Sequence, residues 1–115
     1  MLDGITDLEL VSENHQDLFL QLIRQLEKDF HSATFEVVSF EVATANELIL
    51  NVQEELYKII TTDASKFSNL LYRVDVSEAS VVALKGLSVE EYLNQMSFLI
   101  LKREWLKVWI RNKLV

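Results

Sequence analysis

The feature that most constrains the fold is the last quarter of the chain, where residues 89–114 contain neither glycine nor proline and apolar residues recur at helical spacing. Ser88 and Glu91 stand at its start as a Ser-x-x-Glu capping box, which satisfies free amide groups in the first turn of a helix. A continuous helix over this stretch would be about 40 Å long, at roughly 1.5 Å per residue. Such a helix is long for a chain of 115 residues. We therefore expect the other elements to pack around it or along it.

This terminal helix is predicted to be apolar on two faces when its side chains are placed at about 100° per residue. The first face holds Val89, Tyr92, Leu93, Met96, Leu99, Ile100, Leu106 and Ile110. The second face holds Phe98, Leu101, Trp105, Val108 and Trp109. Two apolar faces need two sets of partners. The second face is either covered by other helices of this chain or forms an interface with a second copy, since aromatic residues are enriched at interface centres.

The composition favours a packed helical domain over disorder or a turn-rich β fold. Half of the residues are apolar, a quarter are charged, and the chain has two glycines and no prolines. The absence of cysteine excludes disulfides, thiolate metal sites and cysteine nucleophiles. The sequence shows neither the pattern of a signal peptide nor an apolar run of membrane-spanning length. We therefore expect a cytoplasmic protein that makes no membrane contact.

The fold class predicted from these patterns is all-α, with four to five helices packed around the long C-terminal helix. Residues 14–115 are expected to form a single helical domain. Residues 1–13 carry four acidic residues between scattered apolar ones, without a sustained helical period. They are therefore expected to form a partly ordered acidic arm.

Periodicity and capping signals place the individual helices. Apolar residues at spacings of three and four predict a first helix over residues 15–31. Thr44 and Glu47 form a second capping box, which starts the next helix. A third, shorter helix follows. Asp75 is then predicted to cap a short fourth helix, which ends at Gly86.

Residues 35–42, with the sequence FEVVSFEV, are the possible exception to an all-helical chain. β-Branched and aromatic residues cluster there with partial alternation. A lone strand cannot satisfy its own hydrogen-bond ladder, and no second convincing strand follows. The segment is therefore extended across the helices, a strand completed by another copy, or the lead-in to the next helix.

Charge is distributed unevenly along the chain, whose net charge is −7. Residues 1–101 hold six basic and seventeen acidic residues, whereas residues 102–115 hold five basic and one acidic. Basic residues at the end of a helix complement its dipole and can pair with acidic helices nearby. Nucleic acid is the less favoured partner for this basic end, because the acidic body would repel a phosphate backbone.

Two motifs in the second half resemble a known pattern. The string LLYRVDVSE at residues 70–78 and the string LILKREWLKVWIR at residues 99–111 resemble small uncharacterised bacterial helical proteins. In these proteins an LLYRxDVSE turn precedes a terminal LILKRExxKVxxR helix. The resemblance covers residues 63–115, and it implies a helical fold and a bacterial cytoplasmic setting without implying an activity.

These motifs contain a set of polar residues that are candidates for a docking cluster: Tyr72, Arg73, Asp75, Glu78, Arg103, Glu104 and Lys107. Arg73 could form a bidentate pair with Glu104, and Arg103 could reach a carboxylate on the turn. Such contacts would fix how the terminal helix docks. Alternatively, Tyr72 and the basic members Arg73, Arg103 and Lys107 converge on an anion or an acidic partner peptide.

The sequence carries no motif of enzymatic chemistry. We find no glycine-rich phosphate loop, no histidine pair at metal-binding spacing and no nucleophile elbow. We therefore expect a non-enzyme without cofactor or metal. The interpretation we favour is a protein-interaction or structural module that is homo-oligomeric, most simply a homodimer, or that binds another protein. A regulatory or nucleic-acid-binding accessory that uses the basic C-terminal helix is the alternative. A weaker alternative is a small enzyme with a site near Tyr72, Arg73, Asp75 and Glu104.

Overall fold

A computed structural model describes residues 4–113, and within that range it contains six α-helices and no strand. The helices are α1 (Ile5–Asn14), α2 (Gln16–Thr34), α3 (Ala45–Thr62), α4 (Ala64–Val74), α5 (Glu78–Val82) and α6 (Val89–Lys113). The predicted all-α fold with a long C-terminal helix is confirmed. The additional helix beyond the four or five expected is α1.

Helix α1 occupies the region where the sequence predicted a partly ordered arm. It packs against α2 and α3. Its anchor is Leu8, whose side chain is fully buried, and Val11 is partly buried beside the same core. The first residue of α1 follows Gly4, which offers no side-chain cap. Long-range burial of an apolar side chain therefore holds this helix, and local periodicity or capping could not show it.

The other helix starts follow local capping chemistry. The amide of Glu47 donates to the hydroxyl oxygen of Thr44 at 3.2 Å, and the amide of Glu91 donates to that of Ser88 at 3.2 Å. Both predicted capping boxes therefore mark real helix starts. The cap predicted for the short helix α5 was wrong in its position. Ser77 caps it, whereas Asp75 ends α4 in a left-handed conformation with φ 72°.

Residues 35–42 are neither helix nor strand, and they lie across α2. The ring of Phe40 is buried edge-on against Phe30, with 5.5 Å between the ring centroids. Its amide donates to a carboxylate oxygen of Glu27 at 2.8 Å. Phe35 and Val37, by contrast, are exposed. Of the three alternatives left open by the sequence, the first describes this region: the segment lies across a helix.

Helix α6 runs through the centre of the domain and contacts α2, α3 and α4. At about 1.5 Å per residue its 25 residues have a length close to the longest dimension of the molecule, 36 Å. Its middle is buried on both predicted apolar faces, at Met96, Ile100, Leu101, Trp105 and Val108. Its ends are less covered, because Val89 and Ile110 are exposed. The two apolar faces therefore meet other helices of the same chain along most of their length.

Candidate functional site

A buried group of charged residues joins the end of α6 to α2. The ammonium nitrogen of Lys107 donates to Oδ2 of Asp29 at 2.8 Å and to the main-chain carbonyl of Arg73 at 2.9 Å. The same nitrogen lies 2.8 Å from Oε1 of Glu104, as an ion contact rather than a well-directed hydrogen bond. Asp29 and Glu104 are both buried. We call Asp29, Glu104 and Lys107 the inner ion cluster.

Burial and proximity shift the ionisation of all three groups. Burial, with the carboxyl group of Asp29 as the next cause, raises the pKa of Glu104 to about 8. Burial acts to raise the pKa of Asp29 as well, but the neighbouring Glu104 carboxyl group and the hydrogen bonds from Lys107 and Gln25 outweigh it and lower that pKa. Burial opposes the charge on Lys107, yet its two acidic partners raise its pKa. Near neutral pH the cluster therefore holds one carboxylate, one ammonium and one largely protonated carboxyl group.

Amide side chains continue this network towards the end of α6. Gln25 donates to Oδ2 of Asp29 at 3.1 Å and accepts from the guanidinium of Arg111 at 3.1 Å. One turn earlier on α2, Gln21 accepts from the amide of Asn112 at 2.8 Å. Three successive polar contacts thus connect α2 to the second half of α6: Asp29 with Lys107, Gln25 with Arg111, and Gln21 with Asn112. Because they need specific partners, they define how the two helices are aligned.

The predicted docking cluster divides into an inner and an outer part. Glu104 pairs with Lys107 and not with Arg73, whose side chain is exposed. Arg103 does reach a carboxylate of the turn, because one of its nitrogens lies 2.8 Å from Oδ2 of Asp75. We call Arg103 and Asp75 the outer ion pair.

Two further members of the predicted docking cluster remain at the surface. Tyr72 is 87% exposed, and Glu78 is exposed in the first turn of α5. The tyrosine lines a shallow apolar surface groove between α4 and α5, together with Glu78. Glu104, in contrast, is fully buried. The four residues named for the enzyme alternative are thus distributed between the surface and the interior.

A second feature is an apolar groove beside the two tryptophans of α6, which we call the tryptophan groove. The rings of Trp105 and Trp109 lie 6.3 Å apart between centroids, and the ammonium of Lys113 lies 5.6 Å from the ring centre of Trp109. The groove has a volume of about 470 Å³, within the range of roughly 300–1,000 Å³ typical of ligand-binding clefts. Its lining comes from α1, α2 and α6, and comprises Asp7, Leu10, Val11, Asn14, His15, Leu18, Trp105 and Trp109.

The residues predicted to form an interface differ in how much surface they offer. Leu101, Trp105 and Val108 are buried within the chain's own core. Phe98 is partly buried against that core. Trp109 is 42% exposed. The accessible aromatic surface in the tryptophan groove therefore comes from Trp109 and an edge of Trp105, and not from the whole predicted face.

Asp29 and Gln25 are the site residues that sequence reasoning missed. They lie on α2 among Leu22, Leu26 and Ala33, at spacings of three and four, so helical periodicity places them on the buried face. Two polar residues on an apolar stripe are a signal of a buried polar network. That signal was present in the sequence, although their partners on α6 could not be inferred from it.

Two kinds of functional feature are absent from the described part of the chain. Residues 4–113 contain no cluster of three histidine, cysteine, aspartate or glutamate side chains able to hold a metal ion. Over the same residues no helix is both long and apolar enough to cross a bilayer.

Comparisons with protein-family models, with curated proteins and with solved structures found no match for this chain.

Proposed function

We propose that this protein is a non-catalytic interaction module that forms a homodimer through the tryptophan groove. The observation that carries the proposal is the partial exposure of Trp109, 42%, in an apolar groove next to a second tryptophan. Tryptophan is among the residues that most often dominate the free energy of protein association. A half-exposed tryptophan on a helix gains further burial when a partner covers it.

Charge complementarity favours a second copy as the partner. The groove lies between α1 and the end of α6. Helix α1 carries three acidic residues and no basic one, whereas the last turn of α6 carries Arg111 and Lys113. In a twofold dimer the same surface is used by both copies. The acidic α1 of one copy can then face the basic end of α6 in the other, on either side of the paired tryptophans.

Sedimentation equilibrium of the full chain, from low to high micromolar concentration, tests the proposal. We expect a concentration-dependent dimer, and Trp109→Glu should weaken the association by about thirtyfold or more, as for a residue at the centre of an interface. Phe35→Glu is the matched control. Phe35 is an aromatic residue, 82% exposed, that does not line the groove, so its replacement should leave the dissociation constant nearly unchanged.

The charge argument has its own test. Raising the salt concentration screens attraction between exposed charges, so the dimer should dissociate more readily at high salt. A chain that stays monomeric at high micromolar concentration would overturn the proposal. Equal loss of association in Trp109→Glu and Phe35→Glu would instead show that another surface is used.

A further inference from the structure

A small basic pocket lies between α2 and the end of α6, on the outer side of the amide contacts described above. It has a volume of about 170 Å³ and is lined by Gln21, Arg24, Gln25, Lys28 and Arg111. Three of its five lining residues are cationic and none is acidic. This composition is notable in a chain whose net charge is −7.

Two of the three cations have no partner in the described part of the chain. Within residues 4–113 neither Arg24 nor Lys28 makes an ion pair or a side-chain hydrogen bond. The nearest acidic residues along α2 are already engaged. Glu27 accepts the amide of Phe40, and Asp29 accepts the ammonium of Lys107. Arg24 and Lys28, four residues apart on one helix face, therefore keep their charge available in the pocket.

The third cation, Arg111, is held in position by the buried network. One guanidinium nitrogen donates to Gln25, whose own amide donates to Asp29 of the inner ion cluster. A guanidinium oriented in this way keeps its remaining N–H groups for an external acceptor, and its planar fork fits the oxygens of phosphate or carboxylate. Anchoring by a buried partner reduces the conformational entropy lost on binding.

The size and charge of the pocket select among anionic ligands. Its volume is below the roughly 300–1,000 Å³ of sites that enclose a whole drug-sized molecule. Three cations in the lining of one small pocket suit a dianion better than a single carboxylate. A duplex nucleic acid is disfavoured, because the acidic remainder of the chain would repel its phosphate backbone. We propose that Arg24, Lys28 and Arg111 form a binding site for one phosphate group, either inorganic phosphate or the phosphate of a small phosphomonoester.

Titration of the full chain with inorganic phosphate at constant ionic strength, followed by amide chemical shifts, tests this site. We expect saturable shifts confined to residues 21–28 and 108–112. Arg24→Gln and Lys28→Gln should each weaken binding by about tenfold or more, the effect expected from loss of a charge-assisted contact. Both side chains are exposed and unpaired, so these variants should fold as the parent does, which circular dichroism would verify.

Lys58→Gln is the matched control, because it removes the same charge from an exposed lysine of α3 that does not line the pocket. Its phosphate affinity should stay within about twofold of the parent. An equal loss in Lys58→Gln and Arg24→Gln would mean that only net charge matters, and it would overturn the site. Absence of saturable shifts at tens of millimolar phosphate would also overturn it.

Two further ligands identify the source of the phosphate and the selectivity of the site. Tighter binding of glycerol phosphate than of inorganic phosphate supports a phosphomonoester as the ligand, and the reverse order supports free phosphate. Sulfate at the same ionic strength is the negative ligand. If sulfate binds as tightly as phosphate and responds equally to the variants, the pocket takes any tetrahedral dianion and the phosphate proposal fails.

Discussion

Two ionic contacts made by α6 have the same length and lie in opposite environments. In the inner ion cluster, Lys107 lies 2.8 Å from Asp29, whose side chain is 7% exposed. In the outer ion pair, Arg103 also lies 2.8 Å from Asp75, whose side chain is 77% exposed. The two basic residues are four positions apart on one helix. Distance alone therefore cannot rank their contributions to stability.

Exposure to solvent explains why the two contacts should contribute differently to stability. An exposed pair gains little, because water screens the attraction and two long side chains lose freedom. A buried group has lost its hydration, so removal of one partner leaves an uncompensated charge in the interior. The inner ion cluster should therefore respond strongly to single substitutions, and the outer ion pair should respond weakly.

The largest effect is expected from Lys107→Met. This change leaves the Asp29 carboxylate buried without its cation, and it should lower the free energy of unfolding by about 3–5 kcal/mol. Urea unfolding at neutral pH measures the loss. A folded domain of ordinary stability has only about 5–15 kcal/mol in total, so the variant should be only marginally folded.

A triple variant separates lost charge balance from lost packing. Asp29→Asn, Glu104→Gln and Lys107→Met together remove every formal charge of the inner ion cluster and keep side chains of similar size. Replacing a buried ionic set by well-packed hydrophobic residues of similar volume is often neutral or stabilising. The triple variant likewise leaves no buried charge without a partner, so most of the lost stability should return. A triple variant as unstable as Lys107→Met alone would contradict the assignment of that loss to an unpaired buried charge.

A smaller effect is expected from pH. The pKa of Glu104 is raised in the folded chain to about 8 from an ordinary value of 4.5. Its stabilising contribution is therefore complete below pH 4.5 and is lost as the pH rises towards 8. The lowered pKa of Asp29 acts the other way, but its contribution is lost only in acid below pH 3.8. Between pH 5 and 8 the free energy of unfolding should decrease, on the order of 2–4 kcal/mol.

Urea unfolding at several pH values measures this decrease, and Glu104→Gln identifies its source. The amide copies the shape of the protonated carboxyl group without its titration, so the decrease between pH 5 and 8 should largely disappear. Asp75→Asn, in the outer ion pair, should keep the parent's slope. If Glu104→Gln and the parent have equal slopes, the titrating group lies elsewhere.

The parts of the fold that depend on neighbours in sequence were predictable. Capping boxes located the starts of α3 and α6 because the donor and acceptor are three residues apart. Helix α1 was not predictable in this way, because its anchor, Leu8, is buried by α2 and α3. The irregular segment at 35–42 was recognised as unusual, but its position against α2 is shown by contacts of Phe40 with Phe30 and Glu27, which are distant in sequence.

The contacts of the candidate site were harder to predict than the helix starts, because they join residues that are distant in sequence. Arg103 was expected to reach a carboxylate on the turn, and its contact with Asp75 spans 28 positions. The partner of Lys107, Asp29, is 78 positions away on a helix whose polar residue was not singled out. Spacing within one helix identifies which residues share a face. It cannot identify which face of another helix they meet.

The smallest effect is expected in the outer ion pair, and it tests the comparison directly. A double-mutant cycle of Arg103→Gln and Asp75→Asn in urea unfolding should give a coupling energy of no more than about 1 kcal/mol. Asparagine suits position 75 because it tolerates the left-handed backbone found there, so the cycle isolates the charge. The coupling should also decrease at high salt. A coupling of about 3 kcal/mol or more would mean that the outer ion pair stabilises the fold as strongly as the inner ion cluster. Solvent exposure would then not determine how much each contact contributes.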